Sequence, residues 1–187
     1  MAAGMTTPTR SPFKAQMLRP ASTEGGGKPW AFVVLPKAVS AKLPRRGRTS
    51  VDGTLNGHPF TVMLEPDGQK SHWLKLDQAL LKAAGVDFGD VAELEVSAVA
   101  QEPEPETPAD LAKALKASPA AQATWQATTT LARVDWIHWV TSAKQAATRA
   151  KRIQDGCDML ASGKKRVCCF DPSGFYSKAF AAPPSAD

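Results

Sequence analysis

The residues best equipped for recognition cluster in two stretches. The first, DWIHWVTSAKQAATRAKRIQDG, sets Trp136, His138 and Trp139 close together and follows them with Lys144, Arg149 and Arg152. Between Lys144 and Arg166 there are seven basic residues against two acids, Asp155 and Asp158. Arginines in pairs make charge-assisted, often bidentate contacts with anionic groups. On a helix Arg149 and Arg152 share a face, so they could dock an anion or equally clamp one helix end to another. Trp136 and Trp139 are also three apart. That spacing fits packing better than a ligand box, because burying one indole contributes several kcal/mol on area grounds. His138 points away from the pair and is expected to be exposed or hydrogen-bonded.

The second stretch, KLPRRGRTS, carries Lys42, Arg45, Arg46 and Arg48 around Gly47. It could contact phosphates, which would make binding steeply salt-dependent. Trp30 and Trp73 complete the set of candidate ligand-binding residues, which is Trp30, Arg46, Arg48, Trp73, Trp136, Trp139, Lys144, Arg149 and Arg152. No catalytic set and no metal site are expected. His58, His72 and His138 are scattered. Cys168 and Cys169 lack metal-ligand spacing, and Gly25 to Gly27 do not open a phosphate loop. No cofactor is implied.

These residues need elements to position them. The chain has 187 residues, a net charge of +5 and 22% charged residues, which suits one large or two small globular domains. No run is long and apolar enough to span a membrane. No signal-peptide pattern appears, and three cysteines with an adjacent pair make a poor disulfide framework. A reduced, cytoplasmic protein is the expectation.

Residues 1–27 read as a disordered leader, with order beginning near Trp30. Residues 28–100 read as mostly β. WAFVVLP is a strand stopped by Pro36. Thr49 to Leu64 is a hairpin turning at Asn56-Gly57. HWLKL is a third strand, DQALLKAAG a short helix from Asp77 to Gly85, and DVAELEVSAVA a closing strand in which Val91, Leu94, Val96 and Val99 alternate loosely. Residues 101–107 form a Glu/Pro linker. Residues 108–166 read as helical, with starts at Pro108 and Pro119. One helix carries Leu131, Val134, Ile137 and Val140, and the last carries Ala150, Ile153, Cys157 and Leu160. Residues 167–187 read as a frayed tail. The fold class is α+β, a small β-barrel followed by a C-terminal helical bundle.

The motifs W-x-F-V-x-L-P, L-P-x-R-G-R and the N-G hairpin, over Lys28 to Ala100, resemble the bacterial domain-of-unknown-function family numbered 1905. That resemblance implies a double-split-type β-barrel distantly like AbrB-type domains. From WIHW to LASGKK, the W-I start, the T-R-x-x-R-I centre and the final L-x-x-G-K resemble the YdeI/OmpD-associated, bacteriocin-protection family. Together the resemblances imply a non-enzymatic binding protein. It would protect against antimicrobial peptides or small-molecule toxins by capturing a peptide or small molecule between barrel and helices. The alternative is a nucleic-acid-binding regulator using the AbrB-like barrel. The oligomeric state stays open.

Overall fold

The structure is a computed structural model that describes residues 9–22, 27–168 and 170–186. The chain divides into two compact units. One combines residues 1–101 with 173–187, and the other spans 102–172.

The first unit is built on a curled antiparallel half-barrel. Its strands are β1 (Ser11–Gln16), β2 (Ala31–Val34), β3 (Thr49–Leu55), β4 (His58–Pro66), β5 (His72–Leu76) and β6 (Val91–Ala98), in the order β1-β6-β3-β4-β5-β2. The hairpin of β3 and β4 turns where expected, with Asn56 and Gly57 both at positive φ, 46° and 86°. That conformation is the type I′ requirement, which favours Asn-Gly. Val51, Leu55, Leu64, Leu74, Leu76, Leu94 and Val96 fill the concave side. A four-residue helical turn, α1 (Lys37–Ser40), follows Pro36. Helix α2 (Gln78–Ala84) starts with the Asp77 carboxylate accepting from the Leu80 N–H and ends at Gly85 in the left-handed region. It lays Leu81 into the core.

Three expectations for this unit need correction. The leader is structured where it is described: β1 pairs with β6 along its whole length, and Met17 is buried. Just beyond β1, Leu18 and Phe32 exchange two backbone hydrogen bonds at 2.9 and 3.0 Å, which curls β2 toward β1. Gly25 and Gly26 lie outside the described residues. In β6 the inward residues are Ala92, Leu94 and Val96, whereas Val91 is exposed, because the strand alternates strictly by two. The tail also returns to the sheet. Ala186 N–H donates to the Arg19 carbonyl, Ala21 N–H donates to Pro184, and the Phe180 backbone covers Gly68 so closely that no side chain would fit there.

The second unit contains α3 (Ala109–Lys116), α4 (Pro119–Ala127), α5 (Thr130–Thr141) and α6 (Ala146–Ala161). Ser118 and Thr129 cap α4 and α5 through their hydroxyls. Leu111, Leu115, Trp125, Trp136, Ile137, Val140 and Leu160 form its core. On α6 the inward stripe is Ile153, Gly156, Cys157 and Leu160. Ala150 is exposed, since the Arg149–Arg152 turn grips neighbouring helices through polar groups instead. Within the Glu/Pro segment, Glu104 takes two hydrogen bonds from Arg133 of α5, at 2.6 and 2.9 Å, and one from the Thr130 hydroxyl at 3.1 Å.

Candidate ligand-binding site

The outer face of β2 and β5 gathers aromatic side chains. Period-two alternation turns Leu74 and Leu76 inward and leaves Trp73 and Lys75 outward. The antiparallel register sets Phe32 opposite Lys75 and Val34 opposite Trp73. Trp30, just before β2, then stacks on Trp73 with ring centroids 6.5 Å apart and planes inclined by 23°. Phe32 lies between their edges, at 6.4 Å from Trp30 and 6.2 Å from Trp73, and is buried although it points away from the sheet core. The Lys75 ammonium stands 4.7 Å from the Trp30 ring centroid, a cation–π geometry.

Trp30 is half-buried and borders a cavity of about 550 Å³. Lys28, Lys75, Lys82 and Asp77 share its wall. Asp77 also caps α2, so the cavity presents an indole and three ammonium groups against one carboxylate. Trp30 and Trp73 were singled out by type, and the structure brings them together. Lys28, Lys75 and Lys82 were missed. Lys75 was findable, because in HWLKL it shares the Trp73 face at spacing two.

Most of the other singled-out residues have internal partners. Arg46 donates to the Lys70 carbonyl at 2.8 Å. Arg48 pairs with Glu65 at 2.8 Å, both largely covered. Burial raises the Glu65 carboxyl above its ordinary value, and the neighbouring Arg48 charge pulls it part of the way back. The loop carrying these arginines is braced by the buried His72, which lies 2.7 Å from the Ser40 hydroxyl and 2.9 Å from the Gly47 carbonyl. A carbonyl only accepts, so Nε2 carries the proton and Nδ1 accepts from Ser40. Burial lowers the His72 pKa and keeps the ring neutral.

In the second unit Trp136 is buried, and its indole N–H donates to the Lys165 carbonyl at 3.1 Å. Trp139 is half-buried and meets Trp136 edge-on at 6.0 Å. Gly156 supplies the seat for both rings. Arg152 donates to the Trp139 carbonyl at 2.7 Å and to the Ser142 hydroxyl at 3.2 Å, closing the C-terminal end of α5. Arg149 forks onto Asp110 of α3 at 2.8 and 3.0 Å, which lowers the Asp110 pKa and raises that of Arg149. Lys144 is exposed beyond α5. His138 is buried rather than exposed, with its ring edge-on to Phe170 at 5.4 Å, because α5 is covered on more sides than one apolar stripe implies. Cys157 is half-buried and Cys168 exposed, and Cys169 lies outside the described residues. Among the described residues no group of His, Cys, Asp and Glu is placed to hold a metal, and no helix is long and apolar enough to cross a membrane.

Residues 13–96 match the family described as Domain of unknown function (DUF1905), and residues 104–163 match the family described as Bacteriocin-protection, YdeI or OmpD-Associated. The first match begins with β1 rather than at Lys28. The second begins at Glu104, the residue that Arg133 grips. No curated protein matches the chain.

Proposed function

We propose, from the premise that this chain joins a domain of the DUF1905 family to one of the YdeI/OmpD-associated, bacteriocin-protection family, that it works by binding rather than by catalysis. Its ligand is a peptide or small molecule that combines an apolar or aromatic body with an anionic group. Capture of that ligand would be the protective step to which the family description refers. The surface proposed for capture lies wholly on the first unit.

One observation carries the reading: Trp30, stacked on Trp73, borders a cavity whose wall also holds Lys28, Lys75 and Lys82. Ligand sites pair apolar area with a few convergent polar groups, and this cavity has both. Four acid or base groups with displaced pKa values elsewhere have structural partners. Glu65 is held by Arg48, His72 by Ser40 and Gly47, Glu104 by Arg133, and Asp110 by Arg149. Such partners favour a binding role over acid–base chemistry at those positions. The nucleic-acid alternative draws less support, since Arg48 is paired with Glu65 and Arg46, although exposed, donates to the Lys70 carbonyl. A reducing, cytoplasmic setting suits the free Cys157 thiol.

A thermal-shift screen of peptides, antibiotics and aromatic carboxylates tests the proposal. A ligand present at 100 times its Kd adds about 2.7 kcal/mol of stability. Stabilisation should vanish in Lys75→Gln/Lys82→Gln while the unliganded midpoint moves only slightly. Stabilisation that survives this double substitution would rule out the Trp30 cavity.

A further inference from the structure

The Trp30 cavity is the first of four on this unit that share walls. It meets a second, of about 600 Å³, at Lys75 and Asp77. The second meets a third, of about 440 Å³, at Pro59, Phe60 and Thr61. The third meets a fourth, of about 600 Å³, at Arg10, Thr54 and Glu95. The row therefore crosses the strands, from β5 over β4 and β3 to β6 and β1. It passes Gly53, where a Cβ would fall 2.6 Å from both the Glu95 carbonyl oxygen and the Phe60 ring. The absent side chain makes room for the Phe60 ring over Gly53.

The two ends of the row differ in charge. At the Trp30 end stand Lys28, Lys75 and Lys82 against the single acid Asp77. At the other end stand Asp52, Glu93 and Glu95 against Arg10 and Lys14. Glu95 and Glu93 are neighboured by those two cations at 3.6 and 3.7 Å. Asp52 is exposed and accepts from the Thr61 hydroxyl at 2.7 Å, which leaves its charge to be met from outside the strand pair.

We infer that the row is a groove for a short extended peptide with both termini free. Its C-terminal carboxylate would lie among Lys28, Lys75 and Lys82, and its N-terminal ammonium at Asp52. The inference rests on the reading of the Trp30 cavity as the ligand site and adds length, direction and end chemistry to it. Three strand intervals separate β3, which carries Asp52, from β2, which follows Lys28, about 14 Å, and an extended chain covers that in about four residues. A compact ligand would use one cavity and meet one sign of charge, whereas a zwitterionic extended chain matches both ends.

The test uses the full chain and a pool of tetrapeptides randomised at every position, offered free, N-acetylated or C-amidated. Retention is quantified by ultrafiltration and mass spectrometry, with indole acetate run in parallel as a compact aromatic carboxylate. The free pool should be retained, and each cap should lower retention about tenfold, the scale of one lost charge-assisted contact. Asp52→Asn should erase the N-acetyl difference alone, and Lys75→Gln/Lys82→Gln the C-amide difference alone. Retention that ignores the caps, or retention of indole acetate without the peptides, overturns the groove and leaves the Trp30 cavity standing. Retention of neither overturns both.

Discussion

Trp30 and Trp73 stack at 6.5 Å with Lys75 4.7 Å above the Trp30 ring, whereas Trp136 and Trp139 meet edge-on at 6.0 Å with Arg152 5.7 Å from the Trp139 ring. By composition the two constellations are alike: two indoles and a cation. They differ in how their polar atoms are met. In the second unit the Trp136 N–H has the Lys165 carbonyl, and Arg152 has the Trp139 carbonyl and the Ser142 hydroxyl. In the first unit Trp30 and Lys75 border a cavity. Residue type supplies the capacity for recognition. Internal partners decide whether that capacity goes into the fold or stays open to a ligand.

The largest expected effect breaks the sealed pair. Trp136→Ala should cost about 3–5 kcal/mol, the usual range for truncating a buried indole, and should unfold the second unit at a lower temperature. Trp30→Ala, at a half-buried position, should cost clearly less by calorimetry. Equal losses would erase the contrast. Arg152→Met comes next. It keeps much of the side-chain bulk but removes the charge-assisted bond to the α5 carboxyl end, at a cost of about 1.5–3 kcal/mol in denaturant unfolding. Gly156→Ala has the opposite sign. Its new Cβ would lie 3.4 Å from Trp139 and 3.5 Å from Trp136, ordinary contact. The helix gains about 0.5–1 kcal/mol from losing a glycine, so the midpoint should rise. A fall would mean that the tryptophan seat is tighter than its geometry indicates. The smallest effect belongs to the open pair: Lys75→Gln should cost about 0.5 kcal/mol, the low end for an exposed cation–π contact.

Acid sharpens the comparison between the units. The His72 pKa is lowered by burial, so the unfolded chain takes up the proton first. Its contribution to stability is present above the ordinary histidine value of 6.5 and is lost as pH falls through that value toward the folded one. The second unit depends on Glu104 and Asp110, both lowered by arginine hydrogen bonds. Their contribution is lost only as pH falls below the ordinary carboxyl values of 4.5 and 3.8. Hydrogen exchange should therefore show β5 and the Lys42–Arg48 loop loosening at mildly acidic pH while α3 and α5 stay protected. Simultaneous loosening would contradict the His72 assignment.

What the sequence made legible was local. Asn56-Gly57 dictated its hairpin, and Asp77 and Gly85 bounded α2, because turn and cap chemistry acts within a few residues. The β1 strand was hidden, since SPFKAQ is mostly polar and its pairing partner β6 lies far along the chain. The tail was hidden for the same reason: its contacts with Arg19, Ala21 and Gly68 are long-range. At the site, the tryptophans announced themselves by type. The meeting of Trp30, Trp73 and Lys75 is a product of the β2–β5 register, which no short window encodes.

The central claim is that the Trp30–Trp73 pair receives the ligand and the Trp136–Trp139 pair builds the fold. Fluorine NMR of the chain labelled with fluorotryptophan reads all five tryptophans at once, with resonances assigned from single Trp→Phe variants. On titration with the free tetrapeptide pool, the Trp30 and Trp73 resonances should shift saturably while those of Trp136 and Trp139 stay in place. Shifts at Trp136 and Trp139 with Trp30 and Trp73 unmoved would reverse the assignment.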